Sequence, residues 1–474
     1  MQRPSSSTNT LYAVGQNSAT VGPFVAERHE VAVVGAGIAG LTAAWSLRDR
    51  DIVVLEAADR VGGRIRSESR GQYWLNFGAH VFGGPNTATG RLLSAVGVSA
   101  KPVPGRLTAV ALNGRIVSRG PVETFPLRLQ LTPRERVQLL RLGLKLRFAV
   151  RRYAAIAAPR AGEDPGERQA KLLAFMDDRT FAAFAGPLGA DAHALLRSTL
   201  TRSSGEPEEL AAGYGVGYFH LVWNRGEGLA RNILGGSSTL THRLAAGLSG
   251  RVRTGARVTS VRQERDEVVV RYLRNGNAAE LWAEAAVIAT PAYVTQEIVA
   301  GLPPDTAAAL AAIPYGPYVV GAFLTTERGA MPWDDLYALA TPKRSFSMLF
   351  NTANVLRHAT QPRRPGGSLM AYAAAERARL LADLDDDAVA ERFLTDLHDL
   401  YPQTRGIVGE VLIKRWNAGL PYPRPGRSRL QPALTRSIAP MYLAGDYLGT
   451  WYTETAVQTA LQAAAALRRQ LHAD

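Results

Sequence analysis

Three glycines in the run Gly35-Ala36-Gly37-Ile38-Ala39-Gly40 are the residues whose type and spacing point most directly to chemistry. Glycine at these positions allows a sharp turn, lets backbone N–H groups approach a pyrophosphate and lets a helix pack closely on a sheet. A helix opening there turns the positive end of its dipole towards the anion. About 20 residues later stands Glu56, at the spacing where a carboxylate accepts ribose hydroxyls in dinucleotide sites. Gly62-Gly63-Arg64 adds backbone donors and a cation. The chemistry implied is dinucleotide binding. With no cysteine in the chain, disulfides, thiolate metal sites, a thiol nucleophile and a sulfur-tethered cofactor are excluded. The histidines show no metal-ligand spacing, so no metal is expected.

Particular elements must hold these residues in place. Val31-Ala32-Val33-Val34 reads as a strand, the glycine run as a tight turn, and Leu41 to Leu47 as a helix. A second strand, Asp51 to Leu55, ends at Glu56 and completes a βαβ unit. Ala256 to Val261 and Glu267 to Tyr272 read as paired strands, Ala285 to Pro291 as a buried strand, and Met441 to Asp446 as a strand running into a turn. The last helix is expected over about Glu454 to Leu471. The chain has 474 residues, 46% hydrophobic and 20% charged, so it is globular and long enough for more than one domain. Residues 1–27 read as a flexible polar tail without the apolar block of a signal peptide. The longest apolar stretch, Val31 to Leu47, is glycine-broken and short for a bilayer span of about 20 residues. The expected location is therefore cytoplasmic. The net charge of +14 favours anionic partners without indicating specific nucleic-acid binding.

The residues after Glu56, Ala57-Ala58-Asp59-Arg60-Val61-Gly62-Gly63-Arg64, resemble the flavin-containing amine oxidase superfamily, which includes monoamine and polyamine oxidases, protoporphyrinogen oxidases and phytoene desaturases. The resemblance recurs at Val258, at Val287 to Pro291, and at Leu443-Ala444-Gly445-Asp446 with Glu454-Thr455-Ala456-Val457. It implies an α/β fold: a Rossmann-type FAD-binding domain with an interleaved α+β substrate domain. The expected division assigns 28–104, 235–298 and 405–474 to the FAD domain, and 105–234 with 299–404 to the substrate domain. By the same resemblance FAD is the cofactor, held by Gly35, Gly37, Gly40, Glu56, Gly62, Gly63 and Arg64. Val258 meets the adenine through its backbone and Asp446 the ribityl or pyrophosphate end. The amides near Thr455 and Ala456 face the flavin pyrimidine, where a helix dipole stabilises negative charge on the reduced ring.

Four residues are expected to line the reaction space. Trp416 and Tyr422 lie in Lys414-Arg415-Trp416-Asn417-Ala418-Gly419-Leu420-Pro421-Tyr422, similar to a run in protoporphyrinogen oxidases. Tyr452 matches one of two tyrosines flanking the amine in monoamine oxidases. His80, in Gly78-Ala79-His80-Val81-Phe82, is similar to patches in phytoene desaturases and galactopyranose mutases, and is read as a hydrogen-bond donor, a proton shuttle or a packed histidine. Tyr318 to Phe323 carries no lysine where amine oxidases have one, which favours carbon-skeleton desaturation. The leading expectation is an FAD-dependent oxidoreductase removing hydride from a C–N or C–C bond of an apolar or aromatic small molecule. An isomerase using reduced FAD and a non-catalytic FAD-binding module are the alternatives. Thr132-Pro133-Arg134-Glu135 is a helix start. In the helix that follows, Arg134, Arg141, Lys145 and Arg152 form one narrow stripe, with Leu142, Leu146, Phe148, Val137 and Leu144 on either side. It reads as a domain helix with a solvated stripe, or as a peripheral contact for an anionic membrane.

Overall fold

The computed structural model describes residues 27–103, 109–223, 229, 231–357, 362–450 and 452–472, so the tail expected over 1–27 lies outside the described residues except for Glu27. At the centre of the first sheet, Glu27–Val34 runs parallel to Ile52–Leu55 on one side and to Asn277–Ile288 on the other. Val252–Arg253 extends the sheet beyond Ile52–Leu55, and Met441–Leu443 pairs in parallel with Ala286 to Ile288. The antiparallel hairpin Ala256–Glu264 with Glu267–Arg274 joins through the other end of Asn277–Ile288. Strands covered on both faces read as continuous apolar runs rather than alternating ones. Val31 and Val33 accordingly pack into one core, Ala32 and Val34 into another.

The helix Ile38–Ser46 and the last helix, Tyr452–Leu471, pack against each other on this sheet. Their contact uses Ala39, Ala43 and Ala44 with Ala456, Ala460 and Ala463. Alanines bring the two axes close, and so draw the start of the last helix towards the glycine turn.

The second sheet has strand order Val408–Pro421, Tyr315–Thr325, Gly367–Ala374, Met348–Asn351, Ala338–Ala340, Ala109–Leu112, Arg115–Val117. Successive residues of a strand face opposite sides. Val319 and Phe323 therefore join the core under the helix Asp386–Leu400, whereas Tyr318, Val320, Phe350, Met370 and Tyr372 face the other way. Val408–Pro421 corrects the expected division, which placed 405–474 with the FAD domain. It pairs with Tyr315–Thr325 in long antiparallel register and belongs to the substrate sheet. Its nearness in sequence to Met441–Leu443 conceals a switch between sheets.

A helical layer completes the second unit. Pro133–Ala157, Pro165–Ala174, Ala190–Leu200 and Ala212–Trp223 enclose a core that includes Tyr153, Phe181, Tyr214 and Tyr218. The predicted cap is present: the Thr132 hydroxyl accepts from the Glu135 N–H, and Glu135 accepts from the Thr132 N–H. Buried Glu135 also accepts from the amides of Asp191 and Ala192, clasping the start of a second helix.

Candidate active site

The glycine turn has the geometry its sequence implies. Gly35 adopts φ +98°, and a Cβ there would lie 2.9 Å from the Ala289 carbonyl oxygen. A Cβ on Gly40 would stand 1.8 Å from the Gly35 oxygen, so only glycine lets the helix sit this close. Around Gly37 there is open space, and the helix it opens has no side-chain cap and no acid in its first turn. An uncapped helix start facing open space is what a pyrophosphate requires. The second glycine pair lies against it: the Gly62 N–H donates to the Ala36 oxygen at 2.8 Å, and a Cβ on Gly63 would be 3.4 Å from the Gly37 Cα.

Glu56 is bound to the same turn. One oxygen accepts from the Ala36 N–H at 2.7 Å, the other from the Ala58 N–H at 2.9 Å. Gly255 and Ala256 donate to the oxygens of Ala58 and Glu56, which brings Val258 to this end of the site. The ladder slips there between Val258 and Ser260. Such an irregularity leaves backbone groups outside the regular pairing. Arg64 and Asp446, far apart in sequence, form a two-point ion pair at 2.8 and 2.9 Å, with Arg64 also donating to the Gly419 oxygen. Burial opposes the charge on Arg64, and Asp446 more than offsets this, so its pKa is raised.

The last helix begins at Tyr452, so Thr455 and Ala456 close its first turn rather than open it. The unpaired amides of a helix belong to that first turn. Glu454, not singled out in the sequence, accepts from the amides of Ala88 and Thr89 and from the Thr89 hydroxyl. It thereby fixes this helix start against a second helix.

Above this platform lies an aromatic chamber. A narrow cleft is lined by Tyr214, Tyr422, Tyr447 and Tyr452 together with Asp446. The Tyr452 hydroxyl lies 3.0 Å from Ser203 Oγ, and burial raises its pKa against the pull of bonds from Ser203 and Tyr214. Tyr422 lines the cleft and is also a core residue, packed at Gly205 with its hydroxyl 3.3 Å from Glu209. Trp416 lies opposite Tyr318, and its indole N–H donates to the Phe77 oxygen at 2.5 Å. The strand without a lysine has one beside it: Lys414 stands opposite Val320, its ammonium 5.4 Å from the Trp416 ring centre.

His80 is buried in the neighbouring aromatic cluster, edge-on to Phe350 at 4.7 Å. Nδ1 lies 3.1 Å from the Gly78 oxygen, which assigns the proton to Nδ1. Burial, partly countered by that bond, lowers the pKa to about 4, so the ring is neutral at physiological pH. Buried Nε2 is an acceptor without a partner among the described residues. Tyr318, Phe350, Tyr372 and Tyr218 also face the chamber, joined by Arg202. Strand alternation groups Tyr318 with Val320 and Met370 with Tyr372, and spacing of four pairs Tyr214 with Tyr218. Those periods identify a shared face without showing what lies across it.

A parallel-stranded dinucleotide fold joined to a mixed substrate sheet, with a buried aromatic chamber between them, defines an FAD-dependent oxidoreductase of two interleaved domains. The sequence model of the family "Flavin containing amine oxidoreductase" matches residues 38–468, and the chain belongs to that family. Polyamine oxidase 1 of Oryza sativa subsp. japonica is 36% identical over 122 residues, covering 21% of this chain and 24% of the relative. Protoporphyrinogen oxidase 2 of Arabidopsis thaliana is 36% identical over 89 residues, covering 18% of each. These matches span less than a quarter of either relative. Among solved structures, putrescine oxidase bound to putrescine superposes with a TM-score of 0.73 at 18% identity, over 93% of this chain and 99% of that one. Cyclohexylamine oxidase from Brevibacterium oxydans gives 0.72 at 20%, over 94% and 99%. At such identities the structures establish the fold.

Proposed function

We propose that the protein oxidises a small-molecule amine at the carbon bearing nitrogen, taking a hydride from that carbon and leaving an iminium ion that water hydrolyses to a carbonyl compound and ammonium or a free amine. The observation that carries this reading is the cleft in which Tyr214, Tyr422 and Tyr452 share a wall with Asp446, so that an aromatic substrate space opens on the cofactor-binding platform. FAD, when bound, supplies the two-electron acceptor and passes the electrons on to oxygen or another oxidant. Gly35, Gly37, Gly40, Glu56, Gly62, Gly63, Val258 and the Arg64–Asp446 pair would hold it. Tyr452 and Tyr422 exclude water and present ring faces to the amine. His80 Nε2 accepts a hydrogen bond from the amine N–H and so orients its carbon. Trp416, fixed to Phe77, forms a rigid wall.

The structural relatives act on putrescine and cyclohexylamine, which favours C–N over C–C oxidation despite the missing strand lysine. Anaerobic mixing of the holoprotein with a panel of aromatic and cyclic primary amines tests this. The expected result is bleaching of the flavin and release of an aldehyde or ketone. Bleaching by a polyene or a ring-dehydrogenation substrate and by none of the amines contradicts it.

The basic helix suggests where such a molecule is met. Val137, Leu140, Leu144 and Phe148 form one exposed apolar stripe, while Leu142, Leu146 and Tyr153 pack inward. Exposed Arg134, Arg141 and Arg152 flank the stripe on one side, Arg147 and Arg151 on the other. Apolar contact edged by cations complements an anionic lipid surface, and peripheral docking there is part of the proposal.

A further inference from the structure

The strand Met441–Leu443 leaves its sheet just before the chain reaches the cofactor platform. The Ala444 N–H still donates to the Ile288 oxygen, at 3.0 Å, but the next residue, Gly445, is buried beyond the end of the ladder. A buried backbone N–H needs an acceptor. Gly445 finds it two turns into the last helix, where its N–H donates to Thr459 Oγ1 at 3.0 Å. The Thr459 hydroxyl proton has its nearest acceptor in the Thr455 oxygen at 2.9 Å, with the Gly445 oxygen at 3.2 Å. Bonding back to the carbonyl four residues earlier is common for a helical threonine, and it leaves an oxygen lone pair for Gly445. One side chain thus ties the exit of the strand to the start of the helix. On either side of it, Ala456 and Ala460 are packed into the core, so the helix end of this tie is fixed. Gly445 itself has little slack, since a Cβ there would stand 2.7 Å from the Tyr447 ring. The residue that follows is Asp446, buried and paired with Arg64 at 2.8 and 2.9 Å.

We infer that Thr459 is a positioning residue for the cofactor: by holding the Gly445 amide it sets where the Asp446 carboxylate stands, and so how tightly FAD is kept. This rests on the reading that Asp446 belongs to the FAD platform. Replacing the hydroxyl by a methyl group leaves the Gly445 N–H buried without an acceptor, which is costly. The turn relieves that cost by shifting, and Asp446 shifts with it. Serine keeps the acceptor and loses only a methyl group.

A double-mutant cycle on FAD binding, read from flavin fluorescence as the flavin-free protein is titrated with FAD, tests this without turnover. Thr459→Val is expected to raise the FAD dissociation constant about tenfold, and Thr459→Ser to stay within about threefold of the wild type. Asp446→Asn is expected to raise it by about tenfold or more. The double variant should bind no more weakly than Asp446→Asn alone, because Thr459 acts through that carboxylate. A residue serving only the fold would lower the melting temperature and leave these affinities and their coupling untouched. Wild-type affinity in Thr459→Val overturns the inference, as do losses that multiply in the double variant, or a serine variant as weak as the valine one. Wild-type affinity in Asp446→Asn overturns it too, but there the platform reading has failed at Asp446 itself. Should valine prevent folding, Thr459→Ala takes its place in the same cycle.

Discussion

Single residues in this site are placed by contacts distant in sequence. Glu56 accepts from the Ala36 amide of the glycine turn and from the Ala58 amide beyond it, so Glu56→Ala is expected to loosen the turn and weaken the retention of FAD. Loss of a charge-assisted bond costs about 1.5–3 kcal/mol, which a fluorescence titration of FAD reads as a dissociation constant raised at least tenfold. His80 gives a pH signature. Its pKa is about 4 in the fold and near 6.5 in an unfolded chain. Between those values the unfolded state takes up a proton that the native state refuses, so stability falls as pH drops through this window. Urea unfolding at pH 7 and pH 5 should show the wild type losing about 2 kcal/mol more than His80→Gln. An equal loss in both would mean that the imidazole is not sealed. The glycines and Glu56 were legible because each answers a local geometric demand. Arg202 and Glu454 were not, since their meaning depends on which groups the fold brings beside them.

Among the elements, those around the cofactor were the most readable. The continuous apolar runs Val31–Val34 and Ile52–Leu55 mark strands buried on both faces, and Thr132 to Glu135 announces the basic helix. The role of Glu135 beyond the cap was hidden, because the amides of Asp191 and Ala192 reach it only after two helices have packed. The two cap residues should therefore differ in weight. Thr132→Ala is expected to cost about 1 kcal/mol, an ordinary cap. Glu135→Ala leaves the starts of two helices unsatisfied and should cost about 2–3 kcal/mol. Thermal unfolding of the two variants checks the order, and equal losses would show that Glu135 serves only its own helix.

At the scale of the molecule, the plan of a dinucleotide unit interleaved with a substrate unit came with the family resemblance, but the boundary at 405 did not fit it. Val408–Pro421 returns to the substrate sheet before the chain enters the last strand and helix of the other unit. This places Trp416 and Lys414 on the sheet face that looks towards the cofactor platform. The surface argument also belongs here. Flotation with vesicles containing anionic lipid should carry the protein upward at low salt and release it as salt rises, and Leu144→Glu with Phe148→Glu should abolish flotation. Indifference to lipid charge would assign the stripe to ordinary solvent exposure. Everything rests on FAD lying against the start of the helix at Gly37. The most direct measurement is the visible spectrum of the protein after incubation with FAD and gel filtration, with the released cofactor weighed. Flavin bands that travel with the protein and yield FAD are predicted; a colourless protein that takes up no flavin would contradict the account.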